Sequence, residues 1–173
     1  ATSTFRCAHR KPNLAQVPSD ERFRQLFQAT PSKQMVSADL SGIELRMLAH
    51  YLARYDNGRY QRILTEGDIH QTNAERIGIT RRQVKTVTYA FLYGAGDTKL
   101  GYSFDKQLSE TAARRKGNEI RKAYVAAIPG LKELLDATQK CAAKGFAKGI
   151  DGRKIKVDKS HKFLNYLLQG SAA

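Results

Sequence analysis

Four side chains suited to binding a nucleotide recur at every fourth position of one segment: Arg81, Lys85, Tyr89 and Tyr93. In an α-helix, each step of four residues turns the side chain by only about 40°, so the four share one face. The cations come first, near a helix N-terminus whose free N–H groups also attract anions, and this arrangement suits phosphate. The aromatic rings further along suit stacking on a base or sugar. A solvated cationic stripe that leads into two core tyrosines is the alternative.

Asp39 is a candidate metal ligand at a predicted corner of the chain. Met35 and Val36 favour a strand over residues 34–39, and apolar residues at helical spacing predict a helix from residue 43 to about 55. A carboxylate between a strand and a helix can bind Mg²⁺ together with backbone oxygens and substrate phosphates. An ordinary turn aspartate is the alternative.

Glu44 lies in the first turn of that predicted helix. Residues 41–44 read Ser-Gly-Ile-Glu and match a capping box, in which a glutamate bonds back to the N-cap backbone. From the residues alone, helix capping is therefore a sufficient role for Glu44.

Further helices are predicted along the middle of the chain. Thr80 and Gln83 form a capping box that opens a helix ending near Leu92, before a Gly-Ala-Gly stop. The other predicted helices cover residues 22–28, 109–127 and 131–144.

The last part of the chain predicts a hairpin and one more helix. Asp151-Gly152 stands between two short alternating runs over residues 146–157, which is a hairpin signal. Ser160 is the predicted cap of a final helix with an apolar stripe. The predicted fold class is α+β and helix-rich, with a small antiparallel sheet interrupted by a helical insertion.

The charge of the chain indicates a polyanionic partner. The 173 residues include 30 Lys and Arg against 16 Asp and Glu, a formal charge of +14. Residues 81–173 hold 19 basic and 8 acidic side chains, so we expect this part to face most of the phosphates. A generic basic surface is the alternative.

The cysteine count and the apolar pattern argue against a disulfide-rich protein and against a membrane-spanning one. Cys7 and Cys141 are too few for a disulfide framework. No apolar run reaches the roughly 20 residues that span a bilayer. We therefore expect no membrane partner and a cytoplasmic location.

The sequence resembles family A DNA polymerases over nearly its whole length, and it looks closer to phage replicative enzymes than to bacterial DNA polymerase I. Residues 39–50 resemble motif A of the family, and the Arg-Lys-Tyr-Tyr face of residues 81–94 resembles motif B. The segments before, between and after these motifs also resemble the family: residues 12–18, 67–70, 151–154 and 164–170.

The resemblance implies a division into three parts and a set of catalytic roles. Residues 1–66 would form the N-terminal part of a palm, residues 67–148 helical fingers, and residues 149–173 a return to the palm. Asp39 would be one of two catalytic carboxylates that hold two Mg²⁺ ions, with the backbone carbonyl of Leu40 completing one shell.

The resemblance also implies which residues contact the nucleotide and the DNA. His70, Arg81 and Lys85 would grip the triphosphate, and Glu44 would exclude a 2′-hydroxyl. Tyr89, in place of the phenylalanine of many bacterial relatives, would pack on the sugar and base and favour acceptance of dideoxynucleotides. Ser41 and Gly42 complete the implied nucleotide site. The implied DNA contacts are Arg6, Asn13, Gln16, Tyr93, Asn165 and Gln169.

The implied partners are primer–template DNA, dNTPs and a polymerase segment that carries motif C. The second catalytic carboxylate of the family lies in motif C, which follows the last predicted helix and is not found in these residues. We therefore expect the 173-residue chain alone to be inactive or nearly so in DNA synthesis. A basic DNA-binding or nucleotide-binding module without catalysis is the alternative function, and a structural basic protein is a weaker one.

Overall fold

A computed structural model describes residues 2–173, in which nine α-helices and two short strands form the regular structure. The helices are α1 Glu21–Arg24, α2 Ile43–Asp56, α3 Arg59–Glu66, α4 Ile69–Ile77, α5 Arg81–Leu92, α6 Asp97–Tyr102, α7 Glu110–Ala127, α8 Leu131–Ala142 and α9 Phe163–Ser171. The strands are β1 Phe146–Lys148 and β2 Lys154–Lys156. The predicted helix-rich α+β class is confirmed. None of the helices in the described range is long and apolar enough to cross a membrane.

The capping box at the start of α5 forms as predicted. The Thr80 hydroxyl accepts from the Gln83 backbone N–H, and the Gln83 side-chain oxygen accepts from the Thr80 backbone N–H at 2.9 Å. These bonds satisfy two helix N–H groups that would otherwise lack partners and so fix where α5 begins.

The predicted capping box at the start of α2 is wrong. The N-cap is Gly42 at φ +61°, and no side chain caps the helix. This left-handed backbone conformation suits glycine, and it makes Gly42 the N-cap of the helix in place of Ser41. The Glu44 side chain is therefore released from a capping role and turns toward other partners.

The strand predicted over residues 34–39 is also wrong, since this segment is irregular. The side chains that suggested it are open to solvent, with Met35 68% and Val36 93% exposed. A strand needs a neighbour for its backbone hydrogen bonds, and within residues 2–173 only β1 and β2 pair with each other. β propensity without a partner strand is not enough to form a sheet.

The predicted hairpin forms, with Ala147 opposite Ile155 in an antiparallel register. These two side chains are buried, whereas Lys148, Lys154 and Lys156 point to solvent. The Gly149 N–H donates to the Arg153 carbonyl at 2.9 Å and closes the connecting loop.

Two predicted helix starts differ from the structure. In place of the helix predicted over residues 22–28, the structure has only the single turn of α1. The Asp20 side chain caps this turn by accepting from the Arg22 N–H. Ser160 begins a 3-10 turn, and α9 starts only at Phe163, so the predicted cap by Ser160 is wrong. The intervening turn makes Lys162 the N-cap, and its side chain cannot accept a hydrogen bond.

The core joins the helices that frame the candidate site. Leu48 and Leu52 of α2, Val87 of α5, Tyr124 of α7 and Leu168 of α9 are all at most 1% exposed and belong to one apolar cluster. Because α9 packs against both α2 and α5, the C-terminal end of α5 is held at a fixed place beside α2.

Candidate functional site

The cationic end of the site is built by the starts of two adjacent helices. Arg81 is the first residue of α5, Lys85 lies one turn later, and His70 lies in the first turn of α4. Arg81 and Lys85 are exposed. Three basic side chains beside two helix N-termini favour an anion here through their charge and the helix dipoles. Some N–H groups of these helix starts are already capped, by Asp68 in α4 and by Thr80 in α5.

His70 lies beneath this cationic surface and is only 9% exposed. Burial lowers the pKa of His70, the positive charges of Arg81 and Lys85 lower it further, and the Asp68 carboxylate opposes this shift. The imidazole Nδ1 is buried without a hydrogen-bond partner among the described residues. An arriving anion would reverse the electrostatic effect and favour the protonated imidazole.

A row of rings leads away from the cations along α5. The Tyr89 ring lies 6.3 Å from the His70 ring and 6.5 Å from the Tyr93 ring, and the two tyrosines are stacked at 17°. Tyr93 is half exposed, with 49% of its surface open to solvent. The predicted face of α5 is therefore present, with cationic side chains at one end and flat aromatic surface at the other.

Glu44 lies at the far end of this row and is held by two side chains from distant parts of the sequence. The Tyr93 hydroxyl donates to Glu44 Oε1 at 3.1 Å, and the Arg6 guanidinium donates to the same oxygen. Glu44 is 8% exposed. The cluster joins the segment before α1, the start of α2 and the end of α5, which are separated by 38 and 49 residues.

The pKa values in this cluster favour an ion pair with a neutral phenol. Burial opposes ionisation of Glu44, but hydrogen bonds from its own backbone, Arg6 and Tyr93 lower its pKa overall. Burial disfavours the charged guanidinium, but Glu44 raises the pKa of Arg6 overall. Burial and the nearby carboxylate raise the pKa of Tyr93, so its hydroxyl stays a donor at neutral pH.

A cavity of about 410 Å³ lies beside this cluster and gathers four of the residues predicted to contact DNA. They are Arg6, Tyr93, Asn165 and Gln169. The Asn165 amide nitrogen donates to the carbonyls of Phe91 and Leu92 at 2.7 and 2.9 Å. Asn165 therefore ties α9 to the end of α5, and its side-chain oxygen has no hydrogen-bond partner within residues 2–173.

The remaining predicted site residues lie in exposed segments. Asn13 precedes a 3-10 turn that ends at Gln16, and within the described range neither side chain makes a hydrogen bond. Asp39 and Leu40 are exposed, and Ser41 and Gly42 lead directly into α2. Across residues 2–173, no three His, Cys, Asp or Glu side chains cluster as metal ligands. The structure thus brings the Arg81–Tyr93 face of α5 and the Arg6 cavity together through Tyr93, which belongs to both.

Two supporting residues were missed in the sequence. The Asp68 carboxylate accepts from Arg81 Nε at 2.7 Å while it caps α4. Arg121 of α7 donates to Asp97 at 2.6 Å and to the Ala95 carbonyl, which holds the loop after α5 in place. Asp68 had a recognisable signal as an N-cap residue before α4, whereas the Arg121 contact spans 24 residues and had none.

Comparison with known proteins finds similar sequences among phage and bacterial DNA polymerases. DNA-directed DNA polymerases of Enterobacteria phage T3 and Escherichia phage T7 are each 36% identical over 98% of this chain, which corresponds to 27% of their own length. The chain thus spans about a quarter of these curated relatives. DNA polymerase I of Rhizobium leguminosarum is 29% identical over 90% of the chain.

A solved structure shares the fold. The POL domain of Pol1 from M. smegmatis, in complex with DNA primer-template and dNTP, superposes with a TM-score of 0.71 over 98% of this chain and 33% of that domain's chain, at 23% identity. The sequence pattern that defines DNA polymerase family A matches residues 1–173. The chain belongs to DNA polymerase family A.

Proposed function

We propose that these residues bind the incoming nucleotide and the primer terminus for template-directed DNA synthesis. The observation that carries the proposal is the continuous face from Arg81 to Tyr93, which ends on Glu44 and Arg6. Residues 1–66 and 149–173 serve as parts of the palm in this proposal, and residues 67–148 serve as the fingers.

The triphosphate binds at the start of α5 in this proposal. Arg81, Lys85 and His70 contact its oxygens. The negative charge of the phosphates raises the pKa of His70 and so offsets the lowering caused by burial and by the two cations. These donors matter most where negative charge builds up between the reacting phosphate and the leaving pyrophosphate. The base and sugar then lie along Tyr89 and Tyr93.

Asp39 and the Leu40 carbonyl suit magnesium as oxygen ligands. Asp39 is exposed and has no ion-pair partner in the described range, so its carboxylate is free to bind a cation. Few protein ligands are typical of Mg²⁺, which keeps waters and substrate phosphates in its shell. A pair of bound magnesium ions supplies activation of the primer 3′-hydroxyl and stabilisation of the leaving pyrophosphate. In this proposal the second carboxylate comes from a polymerase segment carrying motif C.

The DNA lies against the Arg6 cavity and the basic second half of the chain. Arg6 and Gln169 offer donors to the minor groove of the newest base pairs, whose acceptors occupy similar places in every correct pair. Asn165 lines the same cavity, but its amide nitrogen already donates to the Phe91 and Leu92 carbonyls, so it supports this surface rather than reading the acceptors. The exposed lysines of the hairpin, Lys148 and Lys154, lie directly opposite each other. Like charges opposite each other destabilise a hairpin, and a DNA backbone would relieve that repulsion.

Primer extension tests the proposal directly. We expect the 173-residue chain with Mg²⁺, dNTPs and primer–template to synthesise no DNA by itself, and to do so when a separately supplied segment bearing motif C is added. Synthesis by the purified chain alone would show that another residue provides the second carboxylate. If the mixture is inactive while dNTP and DNA still bind, the binding-module function, which the net charge of +11 in residues 81–173 favours, replaces the proposal.

Removal of the Glu44 side chain is expected to weaken sugar selection. The mixture of this chain with the motif C segment is called the complemented enzyme. In it, Glu44→Ala opens the space beside the sugar, and we expect the preference for dNTP over rNTP to fall about a hundredfold. Tyr93→Phe keeps the ring but removes the hydroxyl that donates to Glu44, and a fall of about tenfold is expected. Single-nucleotide incorporation with paired dNTP and rNTP measures both ratios.

Glu133→Ala is the matched control, because Glu133 is exposed on α8 and has no hydrogen bond or ion pair in the described range. It should leave the ratio unchanged. An unchanged ratio in Glu44→Ala itself would remove Glu44 from the sugar site.

A further inference from the structure

Asp68 connects the two helix starts that carry the phosphate-binding cations. Its Oδ1 accepts the backbone N–H groups of His70 and Gln71, both at 3.0 Å, and so caps α4. Its Oδ2 accepts Arg81 Nε of α5 at 2.7 Å. One carboxylate thus binds the starts of both helices, with a different oxygen for each, and its arginine partner lies 13 residues further along the chain.

Capping explains only one of these two oxygens. An aspartate N-cap needs a single acceptor atom, and Oδ1 already provides it. The second oxygen takes the Nε of Arg81, while the terminal guanidinium nitrogens make no hydrogen bond within residues 2–173. The guanidinium is therefore held at its inner nitrogen, and its two outer nitrogens remain free to donate to a bidentate acceptor such as a phosphate.

The surrounding charge is compatible with anion binding despite this carboxylate. Hydrogen bonds from Gln71 and Arg81 lower the pKa of Asp68, so it stays ionised at neutral pH and neutralises one charge. Of the groups facing it, Arg81, Lys85 and protonatable His70 are basic, so the site keeps a net positive charge. The pair is exposed, with 52% of the Arg81 and 43% of the Asp68 side chain open to solvent. Such a pair orients a side chain at little energetic cost, and its own contribution is modest.

We propose that Asp68 is a positioning residue for triphosphate binding: it fixes the guanidinium of Arg81 beside His70 before the substrate arrives. This inference rests on the proposed function, in which Arg81 grips the phosphates. Preorganisation of this kind improves affinity because the side chain loses less freedom on binding.

The test substitutes Asp68→Asn in the 173-residue chain. Asparagine caps helices about as well as aspartate, so α4 and the melting temperature should be unchanged. The charge on Oδ2 is lost, and we expect the Kd for inorganic tripolyphosphate and for dATP with Mg²⁺, measured by calorimetry, to rise about fivefold. In an Arg81→Ala background the same substitution should change neither Kd, because nothing is left to position.

Asp20→Asn is the matched control, since Asp20 also caps a helix and pairs with an arginine, Arg22, elsewhere on the chain. It should leave both Kd values unchanged. Tighter tripolyphosphate binding in Asp68→Asn would overturn the inference and make Asp68 a competing charge. An equal loss with and without Arg81 would also overturn it, by showing that Asp68 acts through the helix alone. If Arg81→Ala by itself changes neither Kd, the phosphate site of the proposed function fails as well.

Discussion

Asp39→Asn is expected to reduce primer extension by the complemented enzyme about a thousandfold or more. Asparagine keeps the shape of the side chain but removes the negative charge that we propose binds magnesium. Metal stabilisation of the transition state is worth several kcal/mol, and each 1.36 kcal/mol is a factor of ten in rate. Because Asp39 is exposed and unpaired in the described range, the substitution should leave folding and DNA affinity unchanged.

Asp136→Asn provides the comparison for this prediction. Asp136 is an exposed aspartate of α8 with no hydrogen bond or ion pair in the part of the chain that the structure describes. Its substitution should retain full extension activity. More than a tenth of wild-type activity in Asp39→Asn would mean that Asp39 does not bind the catalytic metal.

Gly117→Ala is expected to destabilise the chain by about 3 kcal/mol, although alanine is the better helix former. Helices α6 and α7 meet at Gly101 and Gly117. A Cβ on Gly117 would lie 1.9 Å from the Asp97 carbonyl oxygen, and one on Gly101 would lie 1.9 Å from the Ala113 carbonyl oxygen. These neighbours are backbone atoms, so no side-chain rotation relieves the clash and the helices must separate. Alanine gains about 1 kcal/mol of helix propensity, which reduces the loss without reversing it.

Thermal unfolding measures this effect, and a drop of about 10 °C corresponds to it for a chain of this size. Gly96→Ala is the matched control: Gly96 has φ −69° and an added Cβ there meets no atom within 4 Å. We expect its melting temperature to stay within about 1 °C of wild type, since surface changes are usually small. A Gly117→Ala chain as stable as wild type would show that α6 and α7 do not approach this closely.

Loss of the packing between α6 and α7 would also disturb the candidate site. Arg121 on α7 bonds to Asp97 and to the Ala95 carbonyl, so α7 supports the loop that follows Tyr93. Separation of α6 from α7 therefore shifts the end of α5, where Tyr93 meets Glu44.

Local sequence signals were sufficient where a feature depends on residues a few positions apart. The Thr80 capping box, the four-residue spacing from Arg81 to Tyr93 and the hairpin around Asp151-Gly152 all formed as predicted. In each case neighbouring groups lie about one turn of helix or one loop apart, so short-range geometry decides the outcome.

The wrong predictions concern features that depend on residues far apart in the sequence. The segment over residues 34–39 has strand-forming residues, but strand formation depends on a pairing partner elsewhere in the chain. Glu44 matched a capping box, yet its carboxylate is recruited by Arg6 and Tyr93, which no local pattern reveals.

By itself, the sequence determined the family, the helical framework and the residue types of the Arg81–Tyr93 face, because these follow from motifs and periodicity. Only the tertiary structure decided that Arg6, Glu44 and Tyr93 form one cluster, that Asn165 holds the end of α5, and that Asp68 holds Arg81. These contacts join segments 13 to 74 residues apart. Their partners are selected by the packing of α2, α5 and α9, which depends on the whole core and not on any one segment.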